Sequence, residues 1–172
     1  MLLMKKIMKR GNKMKTLIVY STKYGCAEKC SNILKEKIKG EVVLHNLKEG
    51  NKIDLSMYDN VIIGGSVYFG RIRKNVTEFC EKNLEELLKK EIGLFICCMR
   101  DGDLALQELK DAFPKELYNK AIIREYFGGE FIFKKMGLMD RFIAKKVANA
   151  NDDVSNIRID NIEIFANKIN EK

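Results

Sequence analysis

Proline is nearly missing from this sequence, with Pro114 the single example in 172 residues, and tryptophan is missing altogether. The first scarcity excludes Pro-rich linkers and stalks. The second removes the largest ring on which a flat ligand could stack. His45 is the one histidine, and no nucleophile stands beside it in the sequence. It is read as a bystander, which leaves Ser-His triads and His-based metal sites without a foundation. No CxxC pair and no Cys/His ligand spacing occurs, so no metal is expected. GxGxxG and GxxxxGK[ST] are both absent, which sets aside a dinucleotide fingerprint and a P-loop. No apolar run reaches the ~18 residues of a membrane-spanning helix. Asp152-Asp153 reads as a loop or helix-start pair rather than a catalytic carboxylate pair.

What is present describes a globular chain. Hydrophobic residues make up 46% and charged residues 33%, too apolar for disorder, and the length suits one domain with one buried core. The formal net charge is +8, and five of those charges, Lys5, Lys6, Lys9, Arg10 and Lys13, lie in the first 13 residues with no acid among them. Residues 1–13 are read as a basic leader, either a flexible tail or a product of start choice ahead of Met14, and not as a signal peptide. Residues 14–172 are expected to form the domain. The remaining basic residues are scattered and no RNA-binding motif accompanies them, so no nucleic-acid partner is expected. Cys26, Cys30, Cys80, Cys97 and Cys98 suit reduced thiols in a cytoplasmic protein. Cys26 and Cys30 are one helical turn apart, which admits a regulatory thiol pair or, more simply, core packing.

Apolar patterning sets the element order. Short runs rich in strand formers occur at Thr16–Tyr20, Val42–Leu44, Asn60–Gly65, Gly93–Met99 and Lys120–Glu125. Helical spacing occupies the intervals, at about Ala27–Ile38, Arg73–Lys89 and Asp103–Phe113 (closed by Pro114), and again at Arg158–Ile169. Most of the strands are continuously apolar, as when helices cover both faces. The pattern is that of a doubly wound α/β protein, a three-layer sandwich around a parallel sheet. One segment exceeds it. Residues 130–156 interleave Phe131, Ile132, Phe133, Met136, Leu138, Met139, Phe142, Ile143 and Val147 with Lys134, Lys135, Arg141, Lys145 and Lys146. Such a basic amphipathic segment either rests on an anionic membrane or ligand, or packs its apolar side on the core.

In an open parallel sheet, ligands bind beyond the carboxyl ends of the strands. The first strand runs into Ser21-Thr22-Lys23-Tyr24-Gly25-Cys26-Ala27 and then a helix. Hydroxyls, backbone N–H groups and a helix N-terminus together make an anion cradle. The third strand leads into Gly64-Gly65-Ser66-Val67-Tyr68-Phe69-Gly70-Arg71, where small residues around adjacent aromatics suit a flat ring, with Tyr68 or Phe69 stacking on it. Met99-Arg100-Asp101-Gly102-Asp103 follows the fourth strand, and Tyr126-Phe127-Gly128-Gly129 the fifth.

These loops, in this order on five βα units, resemble the flavodoxins. More narrowly, from Met14 onward and with Met139-Asp140-Arg141-Phe142 ahead of the last helix, the chain resembles the flavodoxin-type, menaquinone-dependent protoporphyrinogen dehydrogenases and related flavodoxin-domain proteins. The resemblance implies a five-stranded sheet in the order 2-1-3-4-5 and FMN as cofactor. It places the FMN phosphate on Ser21, Thr22, Lys23, Tyr24, Gly25, Cys26 and Ala27. It places the ring on Ser66, Val67, Tyr68, Phe69 and Gly70, with Met99, Arg100 and Asp101 on the other side. Two features depart from the family pattern: Ala27 stands where Thr usually closes the phosphate loop, and no Trp is available to stack.

Flavodoxins that carry electrons are typically acidic, and this chain is basic. Arg71 and Arg100 are the expected charge stabilisers of a reduced anionic flavin, and the same charge would draw an anionic substrate. The leading expectation is an FMN-dependent oxidoreductase acting on protoporphyrinogen IX or another anionic reduced substrate, with a quinone as acceptor. Phe131 to Ala148 would then be its peripheral contact with the inner face of the membrane. The alternative is an electron-transfer protein that docks partner proteins and has no substrate of its own. A third reading, a flavodoxin-fold module that has lost FMN, has Ala27 in its favour.

Overall fold

The computed structural model describes residues 13–50, 52–147 and 149–171. The expectations placed on residues 1–12, on the side chain of Val147 and on Ala148 fall outside the described residues.

The strands are β1 (Lys15–Ser21), β2 (Glu41–Asn46), β3 (Asn60–Tyr68), β4 (Arg71–Ile72), β5 (Glu91–Cys97), β6 (Ile123–Tyr126), β7 (Gly128–Phe131) and β8 (Val154–Ile157). The helices are α1 (Cys26–Lys37), α2 (Lys74–Lys82), α3 (Leu84–Leu87), α4 (Gly102–Asp111), α5 (Lys115–Lys120), α6 (Leu138–Val147) and α7 (Ile159–Asn170). The central sheet has the order β2-β1-β3-β5-β6, all parallel. Once the two-residue β4 is set apart, this is the 2-1-3-4-5 order that the sequence implied.

The apolar runs form a parallel sheet because both of their faces are buried. Along each strand, side chains alternate between two cores. Leu17, Val19, Val61, Ile63, Leu94 and Ile96 meet Val76, Phe79, Leu87 and Leu109 on one side. Ile18, Tyr20, Ile62 and Phe95 meet Cys30, Leu34, Ile162, Phe165 and Ile169 on the other. Phe95 stacks on Phe127, with ring centroids 4.7 Å apart, and both meet Phe165 edge-on.

Several local expectations change. The helix expected over Arg73–Lys89 breaks at Asn83, whose side-chain amide donates to the Phe79 carbonyl at 2.8 Å and so competes with the helical ladder. Pro114 ends one helix and also caps α5, which takes up Lys120 and delays the fifth strand to Ile123. In the inserted segment, β7 and β8 pair antiparallel as a two-stranded ribbon, with a 3₁₀ turn (Phe133–Lys135) and α6 between them. Gly128-Gly129, expected in a loop, opens β7. A Cβ on Gly128 would sit 1.8 Å from the Asn156 carbonyl oxygen, so only glycine allows the ribbon to close there.

Gly64 shows how tightly the layers meet. A Cβ at this position would lie 2.1 Å from the Phe95 ring. Gly64→Ala is expected to destabilise the fold by about 1–3 kcal/mol through overpacking. Phe95→Leu in the same chain should return part of that loss, and urea denaturation of the two single variants and the double variant measures the coupling. Additive losses would mean that Gly64 is not held small by Phe95.

Candidate functional site

The carboxyl edge of the sheet gathers the loops after β1, β3 and β5. The hydroxyl of Ser21, the last residue of β1, is fully buried and has no hydrogen-bond partner among the described residues. A buried hydroxyl left in that state is costly, and its position at the start of the loop points to a ligand atom that would satisfy it. Thr22 Oγ1 accepts the Gly25 N–H at 2.9 Å and curls the loop. Gly25 then enters α1 at φ +97°, a conformation that glycine adopts without penalty, and no side chain caps the helix. The first N–H groups of α1 are thus left without intrahelical partners beside the helix's positive end. Ala27 is wholly buried and offers only its backbone N–H to the cradle.

An internal anion already answers this cradle. Asp140, on the inner side of α6, accepts a 2.7 Å ion pair from Lys23 Nζ and a hydrogen bond from the Tyr24 hydroxyl. The Tyr68 hydroxyl also favours the charged form of this carboxylate. Burial works against the charge of Asp140, but the bonds from Lys23, Tyr24 and Tyr68 outweigh it and hold the carboxyl down at about 2. Lys23 also lies over the Tyr68 ring, 3.8 Å from its centroid. The clasp joins the loop after β1, the end of β3 and the inserted segment.

The ring loop is a tight hairpin. β4 turns back on β3, pairing Val67 with Ile72 and Tyr68 with Arg71, and Phe69-Gly70 form the two-residue tip. Both tip residues have positive φ, 51° and 71°. This geometry suits Asn-Gly or Gly-Gly, and Phe in the first position is strained. Phe69 is 68% exposed and contacts Tyr68 edge-on at 4.7 Å. In the sequence, the small residues before the aromatics suit a flat ring. Gly64 is instead filled by Phe95, and Gly65 is covered by Val76 and Ile72.

Between these loops and β7 lies a narrow cleft of about 50 Å³. Of the residues expected at the site, Lys23, Tyr24, Cys26, Ser66, Val67, Tyr68 and Met99 line it. Ser21 and Ala27 lie buried beneath the loop. Phe69, Gly70 and Arg71 stand out at the hairpin tip. Arg100 lies 4.0 Å from Glu108, and Asp101 pairs with Arg158 at 2.5 Å, so both are turned toward α4 and α7. Sequence reasoning missed Asp140's role and the wall formed by Cys97, Cys98, Glu130 and Phe131. A larger hollow of about 350 Å³ lies at the amino edge, lined by Lys39, Gly40, Asn60 and Ile169 among others. The carboxyl edge is the better candidate, because the helix N-terminus, the orphaned hydroxyl and the opposed charges all meet there.

The outer side of α6 exposes Leu138 (83%), Met139 (76%) and Phe142 (64%), next to exposed Lys145 and Lys146. No helix among the described residues is long and apolar enough to cross a membrane.

Comparison with known proteins agrees with the fold. Residues 17–157 match the flavodoxin domain family. Among solved structures, rubredoxin oxygen:oxidoreductase from Desulfovibrio gigas is similar at 14% identity and a TM-score of 0.56, over 96% of this chain and 37% of that one. The chain therefore spans little more than a third of that protein. Flavodoxin 2 from Bacillus cereus is similar over nearly its whole length, at 16% identity and a TM-score of 0.57, covering 91% of this chain and 98% of that one. A short-chain flavodoxin associated with a PDU bacterial microcompartment gives 14% identity and a TM-score of 0.60, covering 92% and 97%. At these identities the likeness establishes the fold. No curated protein matches the sequence.

The Asp140 clasp carries a signed pH dependence. Its folded pKa of about 2 lies below the ordinary carboxylate value, so its contribution is complete above about pH 4 and is lost as pH falls toward 2. Asp140→Asn is expected to cost about 1 kcal/mol at neutral pH. The gap to wild type should close between about pH 4 and pH 2. Denaturation curves across that range measure it, and a gap that stayed constant with pH would remove the clasp.

Proposed function

The chain belongs to the flavodoxin-domain family, and from that premise we propose that it is an FMN-dependent oxidoreductase acting on an anionic reduced substrate, with a quinone as electron acceptor. Protoporphyrinogen IX is the substrate to which the family resemblance points. The observation that carries the reading is the anion cradle, in which an orphaned buried Ser21 hydroxyl, an uncapped helix N-terminus and Lys23 converge. The donor set fits a phosphate. Ser21, Thr22, Gly25, Cys26 and Ala27 would hold it, and Lys23 and Tyr24 would close over it on release from Asp140. The ring would lie between Ser66, Val67 and Tyr68 on one side and Met99 on the other. FMN, when bound, supplies the redox chemistry.

The cleft is much smaller than the several hundred Å³ of an ordinary cofactor pocket. Binding therefore requires β7 and α6 to withdraw, and breaking the Asp140 clasp is part of that movement. The outer face of α6 supplies a reason to move, since exposed Leu138, Met139 and Phe142 flanked by lysines suit an anionic bilayer, where a quinone resides. Arg71 and Arg100, both exposed on the loops after β3 and β5, would draw the propionate-like charges of a substrate.

The second reading is an electron carrier that docks partner proteins. The Phe69 tip, exposed and strained next to the cleft, favours it as a protein contact. A module that has lost FMN is the third, and the size of the cleft is the feature in its favour.

The deciding measurement is anaerobic oxidation of protoporphyrinogen by the FMN-loaded protein with a menaquinone analogue, with and without anionic vesicles, followed by porphyrin fluorescence. Turnover that needs both FMN and quinone and rises with vesicles is the expected result. FMN binding without turnover would favour the carrier, and loss of vesicle binding at every salt concentration would remove the membrane contact. Asp140→Asn is expected to bind FMN about 3- to 10-fold more tightly, because a competing carboxylate is gone. Flavin fluorescence quenching reads this directly. Failure of both proteins to quench would select the third reading.

A further inference from the structure

We propose that Cys26, Cys30 and Cys97 form a three-thiolate site for one thiophilic d¹⁰ metal ion, monovalent copper or divalent zinc. The three Sγ atoms lie within 4.8 Å of one another, and all three residues are buried. With metal–sulfur bonds of about 2.3 Å, neighbouring sulfurs around one ion stand about 3.8 Å apart. The cluster thus needs an inward shift of about 1 Å at most, within reach of small χ1 adjustments. The thiols come from rigid elements: Cys26 and Cys30 sit one turn apart on the inner face of α1, and Cys97 ends β5 beneath them.

Plain packing explains a small buried side chain, and it accounts for Cys80, which lies in the opposite core with no thiol partner in the cluster. It gives no reason for three thiols to meet. The donor set is all sulfur, with no carboxylate or imidazole in the group, which disfavours calcium and magnesium and favours soft ions. The electrostatics suit added thiolate charge. Cys26 is the first residue of α1, at the helix's positive end. Contact with Cys30 and Cys97, and the charge of Lys29, bring its pKa down, while the other two thiols are raised. Cys26 and Cys97 also line the cleft, which leaves access and an open fourth position. On binding, each new metal–sulfur bond replaces a thiol proton, which leaves to solvent, and no electron changes hands. The site does not depend on the flavin reading.

The test uses the reduced, flavin-free full chain under anaerobic conditions. Zinc or monovalent copper is titrated in competition with a chromophoric chelator, and cobalt(II) replaces zinc to give a sulfur-to-cobalt charge-transfer band. One equivalent should bind, with the band present. Cys30→Ala and Cys97→Ala should each weaken binding more than about 100-fold, beyond the loss of an outer-shell partner. Cys80→Ala should bind like wild type. Should the triad variants fail to fold, X-ray absorption on the metal-loaded wild type decides, with three sulfur neighbours at about 2.3 Å expected. No stoichiometric binding of either ion, binding unchanged in folded triad variants, or a first shell of nitrogen and oxygen would overturn the site.

Discussion

The positive end of α1 must face an anion. Its first N–H groups are uncapped, Lys23 stands over the same loop, and Lys135 Nζ lies about a van der Waals contact from the place a Cβ would take on Gly25. Without a negative partner these charges would repel one another across a largely buried loop. Asp140 supplies that partner for Lys23, and much of the edge follows from it. It pins α6 over the cleft, draws Tyr24 and Tyr68 toward one point and places Lys23 on the Tyr68 ring. It also fixes which face of α6 turns outward, so Leu138, Met139 and Phe142 are exposed as a consequence of where the carboxylate is held. A cradle of this kind exchanges one anion for another more readily than it stands empty. On the proposed FMN reading, cofactor binding and release of the inserted segment are therefore one equilibrium seen from two sides.

The parts of the fold legible in the sequence were those set by local pattern. Continuous apolar runs marked strands with two buried faces, and helical spacing in the intervals marked a parallel sheet, because each signal is complete within a few residues. The cradle was legible for the same reason, since Ser21 to Ala27 carries its hydroxyls, glycine and helix start in one stretch. What could not be read depends on pairs far apart in the chain. Gly64 and Gly65 looked like room for a ligand, but the side chains that fill that room, Phe95, Val76 and Ile72, come from three other elements. Asp140 was one acid in a basic helix, and nothing local says that it turns inward. The family resemblance implies Asp101 beside a ring, yet Arg158 pairs with it from the start of the last helix. Cys97 carried no metal-ligand spacing because its partners lie on α1.

The hairpin after β3 was half legible. Adjacent aromatics before a glycine pointed to function, while the turn type, which gives that observation its force, is visible only in the backbone. A Phe at positive φ is disfavoured, and a surface turn could use Asn at no cost. Strain and exposure together at one aromatic residue point to a role in contact rather than in folding. The electron-carrier reading uses it as a contact for a partner protein.

The two candidate sites share one helix end, and this couples them. Cys26 is the first residue of α1, so its thiolate and any anion in the cradle compete for the same partial positive charge. A metal ion among the three thiols would set three thiolate charges against its own one or two positive charges, leaving the cluster net negative with either monovalent copper or divalent zinc. That negative charge sits at the wall of the cleft, next to Lys29, which Glu130 already engages at 2.8 Å. Filling the thiol site therefore opposes a phosphate in the cradle, and emptying it favours one. By linkage the effect is reciprocal, so a phosphate in the cradle weakens the metal by the same factor. The proposed thiol site and the cradle thus meet at one helix terminus, so the charge of the one bears directly on occupancy of the other.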